Sequence, residues 1–203
     1  HLHWAGQPTQ AAWVASEVTK FHEGRGDQVV EPDLNHHGDR DIADGLVDLA
    51  VNVRVSEPPQ WLRDAIISTE HDWARYPDAT PGREALAAMH GVPTDMVLPT
   101  AGAAEAFPLV ATLEPRHAIV VHPQFTEPEA ALRAAGISVG RHILNVSDGF
   151  ALDPDLVPDD ADLVVVGNPT NPTGRLHPAT DLLALRPPGR IVVVDEAFMD
   201  ATD

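Results

Sequence analysis

From residue 91 onward, short apolar runs alternate with stretches of helical periodicity. This alternation is typical of β-α-β units built on a parallel sheet. The runs at 163–166 and 191–194 are apolar at every position, as in strands covered by helices on both faces. The pattern predicts an α/β fold with strands at 95–98, 118–121, 163–166 and 191–194, a further short strand at 138–143, and helices at 103–113, 128–135 and 178–185.

The N-terminal part of the chain has a weaker pattern. Residues 1–45 show no sustained period apart from a helical stretch at 11–21, and we interpret them as an N-terminal arm. Residues 46–203 form the predicted sheet domain, which starts with an extended apolar segment that ends near residue 55. Pro58 and Pro59 then precede a predicted helix, and both Tyr76-Pro77-Asp78 and Pro81-Gly82 predict turns.

Composition excludes several classes of function. The 203 residues contain 13 Lys and Arg against 31 Asp and Glu, a formal charge of −18, which disfavours nucleic-acid and membrane-surface partners. The absence of cysteine excludes disulfides, thiolate nucleophiles and sulfur-ligated metals. No metal site is expected either, because His36-His37 has no partner at metal-ligand spacing. An acidic cytoplasmic protein is the expectation.

Small and aromatic residues follow the first two predicted strands. Ligands of open α/β sheets bind outside the carboxyl ends of the strands. The small-residue turn at 100–105 opens a helix, where free N–H groups suit a phosphate, although an ordinary strand-to-helix turn also fits. The stretch His122-Pro123-Gln124-Phe125 places an aromatic ring at the same edge, where a core or rim aromatic is the alternative.

Polar residues follow the last two predicted strands. The loop Asn168-Pro-Thr-Asn171-Pro-Thr-Gly174 is irregular, because the residue before each proline is steered away from helix, and it can aim the Asn171 amide at a bound ring. Asp195 directly follows four β-branched residues, where a carboxylate is costly to desolvate without a cation. A protonated pyridine nitrogen is such a cation, and a capping or salt-bridging aspartate is the alternative.

Phosphate turn, aromatic ring, asparagine loop and strand-end carboxylate together describe a pocket for pyridoxal 5′-phosphate. The asparagine loop followed by Asp195-Glu-Ala-Phe198 resembles the fold-type I pyridoxal-phosphate enzymes of the class I/II aminotransferase family. The similarity is greatest to the cobalamin-biosynthesis branch of threonine-phosphate decarboxylase and its aminotransferase relatives, with histidinol-phosphate aminotransferase as a related group. The weaker parts of the match are His36-His37-Gly38, Val51-Asn52-Val53 and Arg75-Tyr76-Pro77-Asp78.

The resemblance implies a role for each matching residue. The amides of Gly102, Ala103 and Ala104 hold the cofactor phosphate, and Phe125 stacks on the ring. Asn171 donates to the phenolic oxygen, and Asp195 keeps the ring nitrogen protonated, which makes these two the predicted catalytic residues. Tyr76 reaches the cofactor phosphate of the other subunit of a homodimer, and Asn52 and His36 line the substrate side.

The resemblance also has departures. Phe198 stands where many aminotransferases carry a tyrosine, a feature typical of the cobalamin branch, while His37 and Arg54 replace Gly and Asn. Family members place the Schiff-base lysine after the Asp-Glu-Ala strand, whereas Lys20 is the only lysine here. We therefore expect the C-terminal half of the large domain and the small domain in a further segment.

The expected activity is transamination or decarboxylation of an amino acid or amino-acid phosphate, and the sequence does not decide between the two reactions. Histidinol-phosphate aminotransferase is one alternative. A non-catalytic fragment that needs a partner segment is the other.

Overall fold

The computed structural model describes residues 33–36, 40, 43–45, 55 and 57–202. The predicted helix at 11–21, most of the extended segment before residue 55, and Asn52 lie outside the described residues. The chain divides into two compact units, one of residues 36–100 and one that combines residues 1–35 with 101–203.

The unit of residues 36–100 contains two α-helices. Helix α1 spans Gln60–Ser68 and follows Pro59, which confirms the helix predicted there. Helix α2 spans Thr80–His90 and ends at Gly91 with a φ of 65°. The predicted turn at Pro81-Gly82 is wrong, because both residues lie in the first turn of α2, where a proline loses no helical hydrogen bond.

The strand predicted at 95–98 is also wrong. Residues Thr94–Met96 form a 3₁₀ helix, and no strand of the described residues pairs with the extended segment that follows. The apolar run is short and lies between Pro93 and Pro99, which have no backbone N–H, and the N–H groups of Met96 and Val97 donate to Pro93 O and Thr94 O within the local turn. Its side chains are mainly exposed, with Met96 at 74% and Leu98 at 66%.

The unit that contains residues 101–203 is built on a parallel sheet. Its strands are β1 (Ala118–His122), β2 (Val139–Ile143), β3 (Leu163–Gly167) and β4 (Ile191–Asp195), which confirms the other four predicted strands. Their spatial order is β2-β1-β3-β4, and every pairing is parallel. The register places Gly167 at the end of β3 opposite Asp195 at the end of β4.

Helices and loops cover both faces of this sheet. Helices α3 (Ala103–Ala111) and α4 (Glu127–Ala134) lie close to each other in the fold, and both contribute to the core on one face. Helix α5 (Ala179–Ala184) and the segment between β2 and β3 cover the other. The first core contains Ala111, Ala118, Val120, Leu132, Val139, Leu163 and Val165; the second contains Ile119, Val121, Leu144, Leu152, Val157, Ala161, Val164, Val166 and Leu185.

Strands β1 and β3 are neighbours whose chain connections lead away in opposite directions, to β2 on one side and to β4 on the other. Such a switch in strand order opens a crevice beyond the carboxyl ends of the strands, where α/β proteins bind their ligands. Among the described residues, no helix is long and apolar enough to cross a membrane.

Candidate active site

A cavity lies at the carboxyl edge of the sheet, beside the switch point. Residues from α3, from the loops after β1 and β3, and from the end of β4 line it: Ala103, Gln124, Phe125, Gly167, Pro169, Asn171, Asp195, Ala197 and Phe198. The predicted residues Ala103, Phe125, Asn171 and Asp195 thus meet in one place.

The amino end of α3 contributes backbone amides to this edge. Gly102 precedes the helix with a φ of 74°, a conformation that favours glycine. The carboxylate of Glu105 accepts a hydrogen bond from Ala101 N and closes the turn. The amides of the first helical turn have no partner within a helix, so those of Ala103 and Ala104 are oriented to bind an anion.

Phe125 follows β1 and lies half-buried at the cavity. Its ring is 6.5 Å from the ring of Phe107, centroid to centroid, with 49° between the two planes. Phe107 is a buried residue of α3, so this tilted contact connects the aromatic wall of the cavity to the helix that begins beside it.

A buried charge network supports the end of β1. Glu129 of α4 is fully buried, and its carboxylate accepts hydrogen bonds from His122 Nε2 at 2.8 Å, Arg133 Nε at 2.7 Å and Arg141 Nη2 at 2.6 Å. Burial raises the pKa of Glu129, but its hydrogen bonds from His122, Arg141 and Arg133 outweigh burial and lower it to about 2. The charged carboxylate therefore ties β1 and β2 to α4 immediately before Phe125.

The asparagine loop after β3 is braced by internal hydrogen bonds. Asn168 is buried, and its Oδ1 accepts a hydrogen bond from His177 N at 2.7 Å. Thr170 Oγ1 donates to Gly167 O at 2.7 Å, and Gly174 N donates to Thr170 O at 2.7 Å. The first asparagine of the motif is thus used within the loop, whereas Asn171 lines the cavity.

Asp195 brings a half-buried carboxylate to the cavity. Its Oδ1 accepts one hydrogen bond, from Ala197 N at 3.1 Å. Across the described ranges, its side chain has no ion pair, so the salt-bridge alternative finds no partner there. Removing a carboxylate from water without a cation costs free energy, and a cationic group bound in the cavity would offset that cost.

Comparison with protein-family models identifies the family of this chain. Residues 44–202 match the model described as aminotransferase class I and II. The chain belongs to the class I and II aminotransferase family. The family resemblance predicted from the Asn168–Gly174 and Asp195–Phe198 motifs is confirmed.

Curated relatives of this aminotransferase-family chain include proteins of both reaction types. A histidinol-phosphate aminotransferase of Mycobacterium tuberculosis is 52% identical over 168 residues, which are 81% of this chain and 46% of the relative. A threonine-phosphate decarboxylase of Salmonella typhimurium is 32% identical over 167 residues, 77% of this chain and 46% of the relative. The chain thus spans about half the length of the curated relatives it matches.

Solved structures give the same fold. The L-threonine-O-3-phosphate decarboxylase from Porphyromonas gingivalis is 28% identical with a TM-score of 0.61, over 71% of this chain and 47% of that one. A histidinol-phosphate aminotransferase from Sinorhizobium meliloti shares the fold at 20% identity and a TM-score of 0.63, over 72% of this chain and 42% of that one. It was determined in complex with pyridoxal-5′-phosphate, the cofactor that the sequence motifs predict.

The remaining predicted site residues of this aminotransferase-family chain belong to the other unit. Tyr76 is 98% exposed and His36 is also exposed within residues 36–100, while Asn52 lies outside the described residues. Their roles stay predictions. In the residues that the structure describes, no group of three or more His, Asp or Glu side chains is placed to hold a metal ion.

Sequence reasoning missed two features of this edge. The sequence predicts Phe125 at the cavity but not its neighbour Gln124, which also lines it. The network around Glu129 was also missed, because its members lie on three elements and His122 and Arg141 converge on Glu129 only when β2 pairs with β1. The i,i+4 spacing of Glu129 and Arg133 on α4 was the available signal.

Proposed function

We propose that this chain forms the cofactor-binding part of a pyridoxal-phosphate enzyme that acts on an amino acid or amino-acid phosphate, by transamination or decarboxylation. The observation that carries the proposal is Asp195: a half-buried carboxylate, without an ion pair in the described parts of the chain, at the edge of a cavity with apolar walls. A cationic aromatic ring would pair with the carboxylate and pack against the apolar walls.

The lining residues fit pyridoxal phosphate. Phe125, Ala197 and Phe198 offer apolar surface for an aromatic ring. The amides of Ala103 and Ala104 would hold the phosphate at the positive end of α3, with Gly102 providing the turn. Apolar walls for the ring, backbone amides for the phosphate, the Asn171 amide and the Asp195 carboxylate are therefore present at one edge of the sheet.

The bound cofactor supplies an electron sink for the electron pair left at the substrate α-carbon. The Asp195 carboxylate would hold a proton on the ring nitrogen, because an adjacent anion favours the charged form of a base. Asn171 would donate a hydrogen bond to the phenolic oxygen, and Phe125 would fix the plane of the ring. The hydrogen bonds inside the loop around Asn168 support this role, because they brace the segment that carries Asn171 at the cavity.

The lysine that anchors the cofactor in the family is part of the same proposal. Lys20, the only lysine, lies outside the described residues and far upstream of Asp195 in sequence. We expect the anchoring lysine on a further segment of the complete enzyme, downstream of the β4 strand. Borohydride reduction and peptide mapping check this: pyridoxyl label on Lys20 in an active preparation of this chain alone would contradict it.

Residues of the 36–100 unit complete the proposal. Tyr76 would reach the cofactor phosphate in the neighbouring subunit of a homodimer, and His36 and Asn52 would line the substrate side. The nearly complete exposure of Tyr76 is consistent with a side chain that serves another subunit. We also place the enzyme in the cytoplasm, given its acidic, cysteine-free composition.

A product assay on the complete enzyme tests the function. Threonine phosphate tests decarboxylation through release of CO₂, and histidinol phosphate with 2-oxoglutarate tests transamination through formation of glutamate. Either product supports the proposal and selects the reaction. A folded enzyme that binds no pyridoxal phosphate and forms neither product would overturn it in favour of a non-catalytic role. Asp159→Asn changes an exposed residue before β3 and is the control for activity lost during preparation of a variant.

A further inference from the structure

Gln124 is a polar residue that the protein buries without satisfying. Only 6% of it is exposed, and its Nε2 atom has no hydrogen-bond partner among the residues that the structure describes. A buried amide donor without a partner is destabilising, and folded proteins pair the great majority of such groups. An unpaired donor at a cavity wall indicates that a ligand supplies the missing acceptor.

The Gln124 side chain lies in the wall of the cavity. The residue follows β1, and its Oε1 atom would lie 3.5 Å from a Cβ built on Gly167 at the end of β3. Gly167 pairs with Asp195 on β4. The amide therefore lies beside the carboxyl end of β3. Asp195, which we propose meets the ring nitrogen, lies on the neighbouring strand β4. A half-turn about its last side-chain torsion exchanges the oxygen and nitrogen of this amide.

The cavity offers few side-chain donors. Of the described residues that line it, only Gln124 and Asn171 carry side chains that donate a hydrogen bond. Phe125 and Phe198 present hydrocarbon rings, and the Asp195 carboxylate accepts. These two amides are thus the described lining side chains that can donate to a ligand oxygen near the ends of β1 and β3.

We propose that Gln124 is a cofactor-binding residue that donates its side-chain amide to the phenolic oxygen of the ring. The inference rests on the proposed function. The phosphate oxygens are assigned to the first turn of α3, and the protonated ring nitrogen donates to Asp195. The phenolic oxygen is then the acceptor left at the ring edge, and Gln124 and Asn171 share it.

Titration of the complete apoenzyme with two ligands tests this assignment. The ligands are pyridoxal phosphate and its analogue in which hydrogen replaces the 3-hydroxyl. Gln124→Met keeps the length of the side chain and removes the amide, and Gln60→Met alters an exposed glutamine of α1 as the control. We expect Gln124→Met to weaken pyridoxal phosphate about tenfold and to leave the affinity for the deoxy analogue unchanged.

Thermal unfolding of the apoenzyme separates binding from structure. If Gln124 serves only the ligand, Gln124→Met unfolds at the same temperature as the wild type or higher, because the variant buries no unpaired donor. A lower unfolding temperature together with equal losses for both ligands would assign Gln124 a structural role and overturn the inference. If the methionine variant does not fold, Gln124→Glu, which keeps the size but removes both donors, decides by the same two titrations.

Failure of this inference is distinguishable from failure of the proposed function. If wild type and Gln124→Met bind pyridoxal phosphate equally well, the function stands and the role of Gln124 is overturned. If the wild-type apoenzyme binds neither ligand, both proposals are overturned.

Discussion

The two edges of the parallel sheet differ in how many hydrogen bonds their aspartate carboxylates accept. At the amino edge, Asp162 precedes β3 and its carboxylate accepts hydrogen bonds from Arg116 N at 3.0 Å and His117 N at 2.9 Å. Burial raises the pKa of Asp162, but the two backbone amides and the Arg116 side chain outweigh it and lower the pKa below its usual value. At the carboxyl edge, Asp195 accepts a single local hydrogen bond.

Long polar side chains show the same contrast. Arg190 at the amino edge is 8% exposed, and its guanidinium donates to the carbonyls of Ala161, Leu185 and Pro158 at 2.8, 3.2 and 2.7 Å. Gln124 at the carboxyl edge is equally buried, yet its Nε2 has no partner among the described residues. Arg190 is thus satisfied by main-chain carbonyls, whereas the Gln124 amide at the cavity has a donor that a ligand could use.

The largest expected effect comes from Asp195→Asn. This variant removes the charge that we propose holds the ring nitrogen protonated, so we expect turnover of the complete enzyme to fall by about a thousandfold. The apoenzyme should unfold at an unchanged or higher temperature, because Asp195 has no ion pair among the described residues. Steady-state kinetics and thermal unfolding measure the two effects. Near-normal turnover of a folded variant would remove Asp195 from the catalytic site.

A loss of stability is expected from Glu129→Gln. The folded-state pKa of about 2 lies below the ordinary value of 4.5, so the charge network stabilises the fold above pH 4.5 and loses that contribution as the pH falls toward 2. The difference corresponds to about 3 kcal/mol at neutral pH.

Urea unfolding at several pH values measures this contribution. The Gln variant should be less stable than the wild type at pH 7 and should show a smaller loss between pH 4.5 and pH 2. The exposed Glu84→Gln, in α2, is the control. Equal stability of Glu129→Gln and the wild type at pH 7 would show that the network contributes little.

The smallest expected effect is that of Asp162→Asn. The amide has one acceptor oxygen and no charge, whereas the carboxylate accepts through both oxygens and pairs with Arg116, so the free energy of unfolding should fall by about 1–2 kcal/mol. The affinity for pyridoxal phosphate should not change, because Asp162 lies at the opposite edge of the sheet. A loss of cofactor affinity comparable with that of Asp195→Asn would abolish the contrast between the edges.

Local pattern predicted much of this sheet unit. The runs at 163–166 and 191–194 form central and edge strands, because uninterrupted apolar residues, most of them β-branched, pack well where both faces of a sheet are covered. The run at 95–98 fails as a strand because prolines lie on both sides of it and, in the part of the chain that the structure describes, no strand pairs with it. Strand formation depends on pairing, which the local pattern does not contain.

Part of the candidate site could be predicted from the sequence. Motif order brought Phe125, Asn171 and Asp195 to one edge, because the carboxyl ends of parallel strands meet there. Gln124 carried no local signal, since its significance lies in the absence of a partner for its amide. Glu129 likewise depends on His122 of β1 and Arg141 of β2, which only the tertiary structure brings to it.

The central claim is that the Asp195 carboxylate meets a cationic ring nitrogen. The ¹⁵N chemical shift of ring-labelled pyridoxal phosphate bound to the complete enzyme measures the protonation of that nitrogen. We predict the shift of a protonated pyridine in the wild type and that of a neutral pyridine in Asp195→Asn, with Asp162→Asn identical to the wild type. A neutral ring nitrogen in the wild type, or an unchanged shift in Asp195→Asn, would contradict the account.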